Sequence, residues 1–148
     1  MKKTVTIISL ILLIVIIICT FLIKLSTRTS KAVLNENMVY EQYLNDTIYG
    51  TDVVSLINKA ISSNEKNNVT KDEKGLYINN TENSVTIDLI MITDEEKQET
   101  DTYKMETIYN YGMTKFIKNF NTAEFKCTKK IYHEQTGRIA HVELTQQN

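Results

Sequence analysis

The chain has 148 residues, which is enough for one modest domain once its apolar N-terminal segment is set aside. Five of its 17 basic residues precede position 32, whereas none of its 18 acidic residues does, so the remainder carries a formal charge of −6. Because such an acidic surface repels phosphate backbones, we expect no nucleic-acid partner for this part of the chain.

An uninterrupted apolar segment runs from Thr4 to Ile23. About 20 residues at a rise of about 1.5 Å match the roughly 30 Å hydrocarbon core of a bilayer. We therefore predict a short basic N-terminus over residues 1–3 and a transmembrane helix in contact with lipid over residues 4–23. The alternative is a cleaved secretory signal, but the apolar segment exceeds the usual length of about 7 to 15 residues. Basic residues flank the segment on both sides: Lys2, Lys3, Lys24, Arg28 and Lys31.

The next residues favour a helical stalk followed by the start of a folded domain. Helix formers and apolar spacings of three and four predict a juxtamembrane helix over residues 24–49. Gly50 is predicted to end this helix in a left-handed conformation, and Thr51 to cap the following one. An apolar stripe over residues 52–63 indicates an amphipathic helix. The single folded domain is expected to occupy residues 50–148.

The middle of the chain predicts strands separated by polar connections. Residues 64–83 are polar and are interrupted only by residues 76–78, which fit a short edge strand. Residues 84–92 alternate in a way that favours a central strand, and residues 94–101 are predicted to form an acidic loop.

The C-terminal third predicts a helix and a hairpin. Apolar residues recur at helical spacing over residues 104–120, with Gly112 in the middle. Alternation over residues 125–131 and 140–144 indicates two strands, joined by a turn in which Gly137 supplies the positive φ. The predicted fold class is thus α+β: an N-terminal transmembrane helix, then a small antiparallel sheet of about three to four strands packed with two amphipathic helices.

Two groups of polar residues invite a metal-binding interpretation. His133 and His141 could approach each other across the hairpin, near Glu134 or Glu143. A turn histidine and a strand histidine without further ligands are more often solvated polar residues. An acidic run invites a calcium interpretation, but it lacks the alternating ligands and the glycine of an EF-hand, so a solvated loop is expected. This run comprises Asp94, Glu95, Glu96, Glu99 and Asp101.

No residue is predicted to be catalytic, to bind a cofactor or to hold a metal. The two cysteines exclude a disulfide within the domain, because Cys19 lies in the apolar segment and only Cys127 follows it. Cys127 is expected to be buried and to pack in the core from the inward face of its strand. The one enrichment that suggests binding is in tyrosine, which supplies interface area at low entropic cost. These tyrosines are Tyr40, Tyr43, Tyr49, Tyr103, Tyr109 and Tyr111.

A basic start, one membrane helix that continues into the domain, and then a small sheet resemble the plan of type IV pilins and pseudopilins. The resemblance covers the whole chain and is architectural. That family is marked by a glycine cleavage site and by a glutamate early in the mature helix, whereas here no glycine precedes Gly50 and no acid precedes Glu36. The resemblance therefore implies an architecture and a filament-forming alternative, without site residues.

These observations predict a non-enzymatic, single-pass protein of the bacterial cell envelope. Its domain is expected to lie outside the cytoplasm, as in an uncleaved signal anchor, and to bind a protein partner or a second copy of itself. One alternative is a pilin-like filament subunit. Another is an extracytoplasmic ligand-binding or sensor domain, which a deep pocket around His133 and His141 would favour.

Overall fold

The computed structural model describes residues 2–94, 96–97 and 99–147, and it divides the chain into two compact units, Met1–Asn35 and Glu36–Asn148. Helix α1 spans Lys2–Leu44. The stretch predicted as a membrane helix and most of the predicted stalk therefore belong to one helix. Within the folded unit the elements are β1 (Ile48–Tyr49), α2 (Gly50–Lys66), β2 (Thr86–Asp94), β3 (Glu99–Lys104), α3 (Met105–Tyr111), α4 (Met113–Phe120), β4 (Glu124–Tyr132) and β5 (Ile139–Gln146).

The first unit is an exposed apolar helix. Its large apolar side chains between Ile7 and Leu25 are each 49% to 66% exposed, so none of them has a protein core to pack against. The hydroxyl of Thr20 donates a 2.9 Å hydrogen bond to the carbonyl of Ile17, so this polar side chain within the apolar run is satisfied inside the helix. Among the described residues, α1 is the one helix that is long and apolar enough to cross a membrane.

The folded unit begins with the last turns of α1. Asn37 donates through Nδ2 to the carbonyl of Gly137 at 2.8 Å and accepts through Oδ1 from the backbone N–H of Ile139 at 3.0 Å. Tyr40 and Leu44 are buried in the core. The predicted domain boundary at residue 50 therefore lies too far along the chain. The end of α1 is itself amphipathic and needs the hairpin to bury its apolar side.

Ion pairs hold the same turns of α1 against β4 and the β4–β5 turn. The Glu41 carboxylate accepts from Lys130 Nζ at 2.6 Å and from the Tyr132 hydroxyl at 2.7 Å. One turn earlier, Glu36 pairs with Nε of Arg138 at 3.2 Å. Burial raises the pKa of the Glu41 carboxyl, but the bonds from Lys130 and Tyr132 outweigh it and hold that pKa below its usual value. The bond to Glu41 raises the pKa of Lys130.

Replacing Glu41 with Gln is expected to lower stability by about 1 kcal/mol at neutral pH. Because the pKa of Glu41 is lower in the folded than in the unfolded chain, its ionised carboxylate stabilises the fold at pH values above the unfolded pKa of about 4.3. This stabilisation is lost as pH falls through the folded pKa. Because the pKa of Lys130 is higher in the folded chain, its ammonium group stabilises the fold at pH values below the unfolded pKa of about 10.4. This contribution is lost as pH rises through the folded pKa.

The difference in melting temperature between wild type and E41Q should therefore be largest between these limits and should vanish at low pH. The measurement is thermal unfolding of the full chain in detergent at a series of pH values. Glu134→Gln in the exposed turn is the matched control and should leave the profile unchanged. An E41Q difference that persists at low pH would argue against this network.

The five strands form one mixed sheet in the order β1-β4-β5-β2-β3. The neighbouring pairs are antiparallel except β2 and β5, which run parallel with Leu89 opposite Leu144. The predicted α+β class, with a span-length N-terminal helix, is confirmed. The sheet has five strands instead of the predicted three to four, and it is mixed instead of antiparallel. The pair β2–β5 is parallel because the chain between these strands, which carries α3, α4 and β4, brings β5 back beside β2 in the same direction.

Side-chain alternation gives the sheet two unlike faces. The face packed against the helices carries Ile87, Leu89, Val142, Leu144 and Phe125, all fully buried. The opposite face, which we call the open face, carries the alternate residues of β2 and β5, including Thr86, Asp88, His141 and Glu143. The predicted central strand over residues 84–92 corresponds to β2, which lies between β5 and β3.

Gly50 does not end α1 as predicted. It is the first residue of α2, and its backbone N–H donates to the carbonyl of Ala123 at 3.1 Å. Tyr49 is the N-cap in place of the predicted Thr51, and its N–H donates to the Asp52 carboxylate at 3.2 Å. Gly50 is needed because a Cβ at this position would overlap the backbone carbonyl oxygen of Phe120.

Gly50→Ala is therefore expected to destabilise the folded unit by about 2–3 kcal/mol, because neither backbone can move without breaking the β1–β4 and α4 contacts. Gly75→Ala is the matched control, since a Cβ added there would have no neighbour within 4 Å and only the positive φ of 79° opposes the change. That control should cost about 1 kcal/mol. Equal losses in chemical denaturation would contradict the close-approach explanation.

Three further predictions on local structure are corrected. The helix predicted over residues 104–120 is two helices, α3 and α4, which are divided at Gly112. Residues 76–78 contribute a single bridge between Lys71 and Tyr77 instead of an edge strand. The predicted acidic loop over residues 94–101 is mostly a hairpin, because Glu99 and Asp101 lie on β3. The C-terminal hairpin is confirmed, with Gly137 at φ 69°.

Candidate functional site

His133 is a buried structural residue. It is 6% exposed, and its Nε2 lies 2.7 Å from the carbonyl oxygen of Ser84. Because a carbonyl can only accept, Nε2 must carry the proton and donate. Asn64, at the end of α2, supports the next residue in the same way: its amide donates to the carbonyl of Val85 at 2.7 Å and accepts from its N–H at 2.8 Å. These two side chains fix the entry to β2.

His141 lies on the open face, with Nδ1 2.9 Å from the hydroxyl of Thr86. It shares with His133 a cleft of about 530 Å³ that is bounded by residues 79–81 and by the β4–β5 turn. Both histidines singled out in the sequence therefore line one cleft. Within the described part of the chain, no group of three or more His, Cys, Asp or Glu side chains is placed to hold a metal ion.

The acidic run is divided between a turn and a strand. Asp94 accepts from the backbone N–H groups of Glu96 at 3.0 Å and Lys97 at 3.1 Å, and it pairs with Lys97 Nζ at 3.2 Å. The backbone bond from Lys97 contributes most to lowering the pKa of Asp94. Glu95 lies outside the described residues. Asp94 thus serves as the cap of the β2–β3 turn.

Cys127 and the tyrosines have mixed surroundings. Cys127 is partly buried on the helix-facing side of β4, and burial raises the pKa of its thiol, which disfavours the nucleophilic thiolate. Burial raises the pKa of Tyr40 to about 12. Tyr43 and Tyr103 pack partly against the core, whereas Tyr49 and Tyr109 are exposed. The side chain of Tyr111 lies outside what is described.

An apolar groove of about 270 Å³ lies between the β2–β3 hairpin and helices α3 and α4. Gly112 lies in its wall, where the division between the two helices leaves room between them. Lys115 and Asn119 add polar groups at its margin. Most of the remaining lining is apolar: Met91, Ile92, Tyr103, Ile108, Phe116 and Phe120.

Two carboxylates lie on the strand that forms one side of this groove. Tyr103 lines the groove, and Glu99 and Asp101 occupy the alternate positions of β3, so their side chains project from the same face as Tyr103. Among the described strands, β3 pairs only with β2, which leaves its outer edge without a strand neighbour. The apolar groove therefore has Glu99 and Asp101 near its β3 rim, whereas Lys115 lies in the lining itself.

A second cleft, of about 360 Å³, lies where the segment over residues 72–79 crosses the open face. Asp88 and Glu106 contribute buried carboxyl groups, 9% and 4% exposed. Lys104 Nζ contacts Asp88 Oδ2 at 2.6 Å, and Glu106 Oε1 accepts from the backbone N–H of Tyr77 at 2.9 Å. We call this the Asp88 cleft.

Two residues that line the Asp88 cleft each have one buried polar atom without a hydrogen-bond partner: Oδ1 of Asp88 and the hydroxyl of Tyr77. A buried polar group left without a partner costs about 1–3 kcal/mol. Burial raises the pKa of Tyr77, so its hydroxyl stays protonated and can donate. Neither residue was predicted from the sequence. The available signal was Asp88 itself, a carboxylate inside an otherwise apolar strand.

Comparison with protein-family models, with curated proteins and with solved structures finds no match for this chain. The site must therefore be interpreted from its own geometry.

Proposed function

We propose that this protein is a non-enzymatic, single-pass membrane protein of the cell envelope whose folded unit mediates protein–protein interaction or assembly. The observation that carries the proposal is the exposed apolar surface of α1. The large apolar side chains between Ile7 and Leu25 are about half exposed or more, on every face of the helix. Such a surface is unstable in water and stable in a bilayer, because lipid removes it from solvent.

The charges around α1 support the same role. Lys24, Arg28 and Lys31 follow the apolar run at spacings of four and three, so they lie on one stripe of the helix and are exposed. Basic side chains that directly follow a membrane span lie at the level of the lipid headgroups. The acidic remainder of the chain has no comparable attraction for an anionic surface. We place the folded unit outside the cytoplasm, as in a signal anchor.

The apolar groove is the surface proposed to receive the partner. Its occupant is a protein segment with apolar anchor residues next to lysine or arginine. The apolar lining supports the anchors, and Glu99 and Asp101 on the rim support the basic flank by charge complementarity. The free edge of β3 offers backbone groups to an extended segment.

The proposal of a non-enzymatic role is supported by the surroundings of the candidate nucleophile. The raised thiol pKa of Cys127 disfavours the reactive form. Sγ of Cys127 contacts the carbonyl of Lys129 at 3.5 Å, and a carbonyl cannot serve as a base that activates a thiol.

The first test is protease accessibility of a chain with a C-terminal tag, in intact and in broken cells. We expect the chain in the membrane fraction and the tag digested in intact cells. Protection until lysis would place the folded unit in the cytoplasm and would overturn the envelope assignment. Recovery in the soluble fraction would overturn membrane anchoring.

The partner surface is tested by photocrosslinking in cells. A photoreactive residue at Lys115 should give a discrete adduct, whereas the same residue at Thr128 on the open face should not. Reversing the rim charge with E99K and D101K should abolish the Lys115 adduct without changing the melting temperature of the folded unit. An adduct that survives charge reversal, or none at all, would exclude the groove as the proposed surface.

One observation favours the alternative of a pilin-like filament subunit: α1 is continuous over Lys2–Leu44. In such a filament the apolar helices of many copies would pack together. Cysteine pairs introduced into the apolar part of α1 would then form ladders of crosslinked multimers in native membranes. Absence of bands larger than a dimer would exclude this alternative.

A further inference from the structure

The Asp88 cleft is lined by residues that do not line the apolar groove, and it points to a role separate from partner binding. Asp88 and Tyr77 both line the cleft, both are more than nine-tenths buried, and each has one polar atom without a partner. Buried polar groups in native proteins are almost always hydrogen-bonded. Two such atoms in one cleft therefore indicate that a bound molecule completes the hydrogen bonding.

We propose that the Asp88 cleft binds a small organic cation that carries N–H donors, of the primary ammonium class. The second oxygen of Asp88 is already bonded to Lys104 at 2.6 Å, so Oδ1 is the acceptor that remains. A carboxylate oxygen accepts hydrogen bonds only, so its partner must donate. The ammonium group supplies donors in several directions and can also meet the Tyr77 hydroxyl oxygen.

The charge of the cleft selects a cation. Its wall includes three carboxylates, the exposed Asp72 and the buried Asp88 and Glu106, against the ammonium of Lys104. Lys71 Nζ, 4.5 Å from the centroid of the Tyr77 ring, adds a second positive charge, so these five side chains carry a formal charge of −1. A positive ligand compensates the buried carboxylates, which a neutral donor does not.

The size of the cleft fits the same ligand class. A cleft of about 360 Å³ has room for a small molecule and not for a folded partner. Lys104 is half exposed, so this part of the cleft wall is open to solvent.

The test is a titration of the full chain in detergent micelles with n-propylammonium chloride, followed by the backbone amide NMR signals of residues 77 and 88. Tetramethylammonium chloride at the same ionic strength is the control, because it has the same charge and no N–H donor. We expect saturable shifts with n-propylammonium and none with tetramethylammonium. Equal shifts with both salts, or no saturable shift, would overturn the proposal.

Variants locate the site. Asp88→Asn should weaken n-propylammonium binding by about tenfold or more, since a charge-assisted bond and a charge are lost. Asp46→Asn removes the same charge at an exposed position outside both the cleft and the groove, and it should leave the affinity unchanged. Tyr77→Phe should weaken binding and raise the melting temperature without ligand, because it removes a hydroxyl that lacks a partner. Unchanged affinity in both D88N and Y77F, or a crystal structure with ordered water only in the cleft, would overturn the proposal.

Discussion

Leu89→Asp is expected to abolish the cooperative unfolding transition of the folded unit. Leu89 is fully buried in β2, opposite Leu144 of β5 and Tyr103 of β3. Removing the leucine forfeits about 2–3 kcal/mol of apolar burial. Burying an ionised carboxylate without a partner adds several kcal/mol. A total above about 5 kcal/mol reaches the whole stability of a typical domain.

The matched control is Thr93→Asp, which introduces the same carboxylate at an exposed position of the same strand. It should change the free energy of unfolding by about 0.5 kcal/mol or less. Both variants are measured in the full chain by near-ultraviolet circular dichroism of its tyrosines during thermal unfolding. A cooperative transition in L89D at the wild-type temperature would show that β2 is not the centre of the core.

The sequence predicted the elements whose apolar pattern is strong and local. The alternation around Leu89 indicated β2, and the stripe containing Leu56 and Ile57 indicated α2. These three side chains are fully buried. The turn at Gly137 was predictable because only a few residues adopt a positive φ without strain. In each case the periodicity and the tertiary burial require the same structure.

The errors arise where tertiary contacts decide the outcome. The backbone freedom of glycine suggested that a helix ends at Gly50. Glycine is instead needed there because the carbonyl oxygen of Phe120, which is distant in sequence, leaves no room for a Cβ atom. The strand containing Glu99 and Asp101 carries no apolar alternation, because β3 is a largely exposed edge strand. Charged residues on such an edge oppose unwanted pairing, and a local pattern cannot distinguish them from a loop.

The candidate sites were only partly predictable for the same reason. The histidines attracted a metal interpretation by residue type, and the structure shows that His133 instead supports the carbonyl of Ser84. The site at Asp88 could not be predicted from its strand, since its ion-pair partner Lys104 and the cleft residue Tyr77 come from other parts of the chain. A buried acid in an apolar strand is the pattern that points to such a site, because it must find compensation elsewhere.

The apolar groove and the Asp88 cleft differ in what they can recognise. The apolar groove lies on the helix side of β2, at Met91, and the Asp88 cleft lies on the opposite side of the same strand. Because side chains alternate along β2, changes at Asp88 need not disturb the lining at Met91. Partner crosslinking at Lys115 and ammonium binding at Asp88 are therefore separable, and the failure of one proposal leaves the other intact.

The double substitution Ile14→Arg and Ile18→Arg is expected to move the protein from the membrane to the soluble or aggregated fraction. Both positions lie in the middle of the apolar run, and their side chains are 49% and 52% exposed. An arginine at the centre of a membrane helix costs about 2.5–3.5 kcal/mol on insertion scales, so the pair costs about 5–7 kcal/mol. That penalty is comparable to the whole favourable contribution of the remaining apolar residues, at about 0.3–0.6 kcal/mol each, so insertion is no longer favoured.

The control is Ser26→Arg with Ser30→Arg, which adds the same two charges with the same spacing beyond the apolar run. Arginine at that level lies among lipid headgroups, so the control should remain in the membrane after a carbonate wash. Quantitative immunoblotting of the washed membranes compares the two variants with wild type. If the Ile14 and Ile18 variant resists the wash as wild type does, α1 does not span a bilayer. If instead both double variants leave the membrane, added positive charge alone releases the protein, and burial of charge within the span is not the cause.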